Sequence, residues 1–165
     1  MVLDFRREGT PALLPWYLLT GRFDRPAGAL ARELLGLRGL LALQAVRLAT
    51  RYADPQGIAE ARRILARSPA LERDLAAHAL NELELFRALV CSSSIWPAVW
   101  LANVFWAPMR ELHGMLAAAV GQIPPDYQAQ MERLVDLIEA RDEAGAEAHL
   151  RAWLDHVDRN LLQEL

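Results

Sequence analysis

Apolar residues recur along the chain at spacings of three and four, and sustained alternation at spacing two is absent. Leu30, Leu34, Leu37, Leu41, Ala45 and Leu48 fall within about 100° of one another on a helical wheel. This predicts a long helix from about Ala29 to Tyr52, stopped before Asp54 and Pro55. Pro55 suits the first position of a second helix, to about Arg67, with Asp54 as its N-cap. Ser68 and Pro69 repeat the signal and predict a helix to about Cys91. Serines 92–94 then break the pattern. A further helix is expected from Ile95 to Gly121, kinked at Pro108. Pro124 and Pro125 open another to about Arg141, and Asp142 reads as the N-cap of a last helix to about Gln163. A short apolar segment, Ala12 to Thr20, precedes all of these and ends in a turn rich in glycine and arginine. The expected fold is all-α, an antiparallel bundle of six or seven helices. One domain is expected over residues 1–165, with 1–28 a linker and short helix and 29–165 the bundle.

Two irregularities of the first long helix carry information. Arg38 lies inside the apolar stripe, and a buried guanidinium costs several kcal/mol unless it is paired. It therefore needs an internal carboxylate, backbone carbonyls or an anionic ligand. Leu43 and Val46 interrupt the opposite, polar side, so the helix is apolar on two sides. The span from Ala88 to Met109 contains no charged residue at all. Together these leave more apolar surface than a small bundle easily covers, which predicts a homodimer. The same span is long enough to cross a bilayer, but Ser92–Ser94, Asn103, Pro97 and Pro108 interrupt it, so a buried core helix and no membrane association are expected.

Charge and composition narrow the function. Hydrophobic residues make up 53% of the 165 and charged residues 24%, which suits a packed core. The net charge of −3 offers no electrostatic footprint for nucleic acid by this chain alone. All 18 basic residues are arginine, which removes Schiff-base and P-loop lysine chemistry. The one cysteine, Cys91, excludes an internal disulfide and a cysteine-based zinc site. The charged start, Met1 to Arg7, does not read as a signal peptide, which gives a cytoplasmic expectation.

No phosphate-binding glycine loop, nucleophile elbow or zinc-protease motif is present, and no cofactor is expected. His78 and Glu82 stand one helical turn apart, while His149, Trp153 and His156 share a face of the last helix. His78, Glu82, His149 and His156 thus make one conceivable metal set, set against the plainer reading of His78 in a partly exposed turn. The remaining carboxylates read as helix faces and caps, so enzymatic function is disfavoured.

Three stretches carry a resemblance. Residues 2–15 are similar to a linker with a Val-x-Asp-Tyr-Arg-Arg pattern, residues 33–49 to a leucine-rich helix with a Leu-x-x-x-Arg pattern, and residues 134–150 to a turn built on Arg-Asp. In this order they resemble the C-terminal effector-binding and dimerisation domain of FadR-type regulators in the GntR family. The resemblance puts residue 1 already in the linker, after the winged-helix domain through which such regulators bind DNA. It implies a small-molecule effector, whose binding shifts the balance between helix arrangements. Most members hold a divalent metal with one Asp and three His. At those positions this chain places Glu82, Phe86, Met131 and Trp153, and aromatic and thioether side chains make poor ligands. The resemblance is thus to the metal-free branch, which also has Phe followed by Arg, here Phe86 and Arg87. Arg38, Glu82, Phe86, Met131 and Trp153 are the candidate effector-binding residues, and a Glu82–Arg38 contact is expected in the absence of ligand. The effector is expected to be apolar or to carry a carboxylate. Two alternatives stand beside this: a purely structural dimerisation module with a filled cavity, and a metal-dependent sensor or enzyme using the displaced histidines.

Overall fold

Helix boundaries follow the capping chemistry. Asp54 accepts the Gly57 amide at 2.6 Å, Asp74 the Ala77 amide at 3.0 Å, and Asp142 the Gly145 amide at 2.9 Å. Each satisfies an amide that the first helical turn leaves unpaired. The structure, a computed structural model, describes residues 9–14, 16, 27–117 and 122–163. The described residues include the α-helices α1 (Ala27–Tyr52), α2 (Pro55–Leu65), α3 (Leu75–Ser92), α4 (Trp96–Ala117), α5 (Tyr127–Glu139) and α6 (Glu143–Gln163). Pro11–Leu13 and Ser68–Leu71 form short 3-10 turns. No strand occurs among the described residues, and the fold is all-α. Most of the apolar segment expected at Ala12 to Thr20 lies outside the described residues.

One boundary differs from the sequence reading. Ser68 does not start the long third helix. Its side chain is buried and accepts a hydrogen bond from Asn81 Nδ2 at 3.0 Å, so it is not available as a cap. The chain makes a 3-10 turn there, and α3 begins only after Asp74. The serine break is where expected, because Ser94 takes a left-handed conformation with φ 53°. Pro108 lies inside α4, as expected.

The core runs through α1, α2, α3, α5 and α6. On α1 its centre passes through Ala42, Ala45, Val46 and Ala49, while Leu34, Leu37, Leu41 and Leu48 are only half-buried. Small residues let α6 and α3 approach the α1 backbone closely, which displaces the leucine stripe to the margin. Facing them are Leu85 and Leu89 of α3, Met131, Leu134, Val135 and Ile138 of α5, and Ala146 and Leu150 of α6, all essentially inaccessible. Truncating one of these large side chains to Ala costs about 2–5 kcal/mol.

A row of ion pairs fixes α1 antiparallel to α6: Arg38 with Asp158, Arg47 with Glu147, and Arg51 with Glu143 at 2.5 Å. Arg62 of α2 bridges to Asp136 at 2.9 Å and Glu139 at 2.5 Å on α5. The Arg-Asp turn between α5 and α6 serves two helices at once. Arg141, with φ 60°, donates to the carbonyls of Ala49 at 3.1 Å, Thr50 at 2.8 Å and Ala53, closing the end of α1. Asp142 meanwhile caps α6.

Helix α4 is attached differently. Its main neighbours among the described elements are α3 and the Pro11–Leu13 turn. Arg87 holds it to α3 by donating to Asn103 at 3.1 Å and lying over the Trp106 ring at 4.7 Å from the centroid. No helix among the described residues is long and apolar enough to cross a membrane.

Candidate functional site

Four of the five candidate residues sit on three helices that meet inside the bundle. Met131 is 0% and Trp153 6% exposed, and both belong to the continuous core, with Phe86 packed against it. Glu82, one turn before Phe86 on α3, is half-buried. Met131 and Trp153 fill this part of the core with their own side chains, and Phe86 closes on it from the side.

The fifth, Arg38, is half-buried on α1, and its partner differs from the expectation. Its Nη2 pairs with Asp158 of α6, not with Glu82. Asp158 stands one turn after Leu154 and two after Leu150, so it is a carboxylate in the core-facing ladder of the last helix, mirroring Arg38 on the first. That ladder was the available signal for it. The pair is incomplete: Arg38 Nε is buried and makes no hydrogen bond. Burial pushes the Asp158 carboxyl above its usual value, Arg38 opposes the shift, and the charges of Asp155 and Glu82 add to it.

Beside these residues lies an aromatic chain that the sequence reading missed. The His78 ring meets the edge of Tyr127 with centroids 4.4 Å apart at 71°. Tyr127 lies 6.3 Å from Trp153, and Trp153 lies 6.2 Å from His156. His78 is not in a partly exposed turn; it is buried, because Tyr127 folds over it from the start of α5. Tyr127 is only 4% exposed. Its position directly after the Pro124–Pro125 break gave no sign of this, since helix starts are usually wet.

The cluster is short of hydrogen bonds. His78 Nδ1 is buried without a hydrogen-bond partner, and the buried Tyr127 Oη has at most the neighbouring Ser68 hydroxyl beside it. Leaving such a group unsatisfied costs about 1–3 kcal/mol, so native proteins keep few of them, and each asks for an explanation. Burial lowers the His78 imidazole below its usual value, against the pull of Glu82 and Glu72. Burial likewise raises the Tyr127 phenol well above its usual value; the Glu82 charge adds to this, and the neighbouring Ser68 hydroxyl opposes it. Glu82 therefore acts through space on His78, Tyr127 and Asp158 alike.

The alternative metal set does not assemble. His149 Nε2 lies 2.8 Å from the carbonyl oxygen of Gln130 and is engaged there. Among the described residues no group of three or more His, Cys, Asp or Glu side chains is placed to hold a metal ion. His78 and Glu82 stand on α3 and His149 and His156 on α6, and the four do not converge on one centre.

The structure is thus an all-α bundle with half-buried polar groups set among core residues of three helices. The FCD domain model matches residues 33–156, and the chain belongs to the FCD family, the effector-binding, regulatory C-terminal domains of GntR-type transcription regulators. No curated protein matches the chain.

Proposed function

We propose that this domain senses a small molecule with an apolar body and a carboxylate, without a metal and without catalysing a reaction, and that it works as a homodimer in the cytoplasm. The observation that carries the reading is the incomplete ion pair of Arg38. Asp158 takes Nη2 and leaves a buried Nε–H unused. A ligand carboxylate approaching the guanidinium side-on satisfies both donors at once, in the bidentate geometry that favours arginine over lysine. It displaces Asp158, whose raised pKa makes its charge the less secure partner. Because Arg38 belongs to α1 and Asp158 to α6, the exchange changes how two helices are joined. Phe86, Met131 and Trp153 supply the apolar wall, and the effector shifts the helix arrangement only by its differential affinity for the two states.

The experiment is native mass spectrometry of small molecules carried through purification, followed by titration of any carboxylic acid found into the wild-type and Arg38→Ala proteins. A bound acid whose affinity falls tenfold or more in Arg38→Ala supports the reading; one bound equally by both proteins removes it. The residues in contact with the core also favour a second reading, a structural dimerisation module, because Met131 and Trp153 are continuous with that core. Under that reading no small molecule stabilises the protein, and Trp153→Ala only lowers its stability.

A further inference from the structure

The polar atoms around Glu82 make a demand of their own, separate from Arg38. Glu82 and His78 are one turn apart on α3, and Tyr127 of α5 lies against His78 with ring centroids 4.4 Å apart. Tyr127 and His78 are 4% and 6% exposed; His78 Nδ1 has no hydrogen-bond partner, and Tyr127 Oη has at most the Ser68 hydroxyl beside it. None of the ion pairs made by Arg38, Arg47, Arg51, Arg62, Arg63 and Arg67 involves Glu82, and Arg38 is taken by Asp158. We propose that Glu82, His78 and Tyr127 together form the receptor for an ammonium group on the effector. This rests on the effector-binding reading above and completes it: the ligand is an amino carboxylate with an apolar body.

The chemistry matches group by group. A primary ammonium brings one positive charge and three N–H donors. Glu82 supplies the opposite charge, and Tyr127 Oη and His78 Nδ1 supply lone pairs. Burial keeps His78 neutral at pH 7, and with its proton on Nε2 the buried Nδ1 is an acceptor. The ring faces of Tyr127 and Trp153, 6.3 Å apart, add the cation–π attraction that such a charge finds in aromatic surroundings. Other occupants fit less well. An anion meets Glu82 and Asp158 as like charges. A metal ion finds no group of three ligands among the described residues. Water satisfies the hydrogen bonds and leaves the charge of Glu82 unanswered.

Two probes of equal tail length separate the two halves of the site: hexylammonium and hexanoate. Each is titrated to millimolar concentration while the Trp153 indole N–H resonance, assigned through Trp153→Phe, is followed. Hexylammonium should shift that resonance saturably. Its affinity should fall tenfold or more in Glu82→Gln, severalfold in Tyr127→Phe, and less in Glu82→Asp, with helical circular dichroism unchanged. An unsaturable response, or an affinity indifferent to Glu82→Gln, overturns the ammonium site. Hexanoate binding that depends on Arg38, with hexylammonium silent, overturns this site and leaves the carboxylate-sensing reading standing. Silence of both probes removes both.

Discussion

Arg141 donates a hydrogen bond to the carbonyl oxygen of Thr50 at 2.8 Å, although the two residues lie 91 positions apart in the chain. With its bonds to the Ala49 and Ala53 carbonyls it closes the last turn of α1, where Ala49 O also accepts the Ala53 amide and the Thr50 and Ala53 carbonyls lie beyond the helix's own ladder. Arg141→Ala should therefore lower stability by about 1–3 kcal/mol, the cost of part-buried carbonyls left unmet. Urea unfolding checks this, with an unchanged m-value showing that the effect lies in the folded state. Arg141→Lys should recover only part, because a single ammonium cannot serve three carbonyls in a fixed fork. A loss under 0.5 kcal/mol, the range typical of surface changes, would show that α1 does not depend on this turn.

Acid should weaken the fold in two windows of different origin. The Arg47 and Arg51 guanidiniums beside Glu147 and Glu143 hold these carboxyls below their usual range. A lowered carboxyl pKa stabilises the fold above the unfolded value, about 4.3, and that contribution is lost as pH falls through the folded value. His78 is a base with a lowered pKa, so the unfolded chain binds its proton first. Its effect begins higher, near the unfolded value of about 6.5, and stability falls as pH drops below it. Urea midpoints should decline from pH 7 to 5.5 in the wild type and stay flatter in His78→Gln. Glu143→Gln with Glu147→Gln should flatten the profile only below about pH 5. Asp158 acts in the opposite sense, since its carboxyl is raised and its protonation relieves part of the loss.

Gly57 packs against Ser92 where the start of α2 crosses the end of α3, and a side-chain carbon there would overlap the Ser92 Cβ. Gly57→Ala should cost about 1–3 kcal/mol despite alanine's better helix propensity. Ser92→Gly in the same chain should return part of the loss, and thermal unfolding of the four combinations measures the coupling. Additive effects would mean that the two helices separate freely at this point.

The exposed side of α4 gives the oligomer prediction its place. Trp96 and Trp100 are each 64% exposed, and Val104 and Leu101 continue the same patch at 57% and 60%. A run spaced by four residues and open to water is the kind of surface a second subunit covers. Sedimentation at tens of micromolar, a range in which obligate dimers stay associated, should show a dimer for the wild type. Trp100→Glu with Val104→Glu should give a folded monomer. A wild-type monomer, or a dimer untouched by both changes, would relocate or remove the interface.

The sequence made the elements readable wherever a single side chain decides the backbone. Asp54–Pro55, serines 92–94 and Asp142 each act within a turn, so their effect needs no knowledge of the rest of the fold. Ser68 misled because the same hydroxyl can cap a helix or fill a core hydrogen bond, and tertiary packing against Asn81 chose the second. The need of Arg38 for a partner was legible; the partner was not, since Asp158 is 120 residues away and Glu82 was an equally plausible carboxylate. The burial of His78 was hidden for the same reason, as it depends on Tyr127 arriving from another helix.

The three pairs between α1 and α6 act mechanically as teeth of one rack. Arg38–Asp158, Arg47–Glu147 and Arg51–Glu143 share a single register. Sliding one helix past the other by a turn, about 5.4 Å, would disengage all three together. Tilting α6 about the Arg47–Arg51 end releases Arg38 alone, and Arg141 anchors α1 at that same end. A hinge at that end would act as the spine of a book, with the free edge of the page at Arg38.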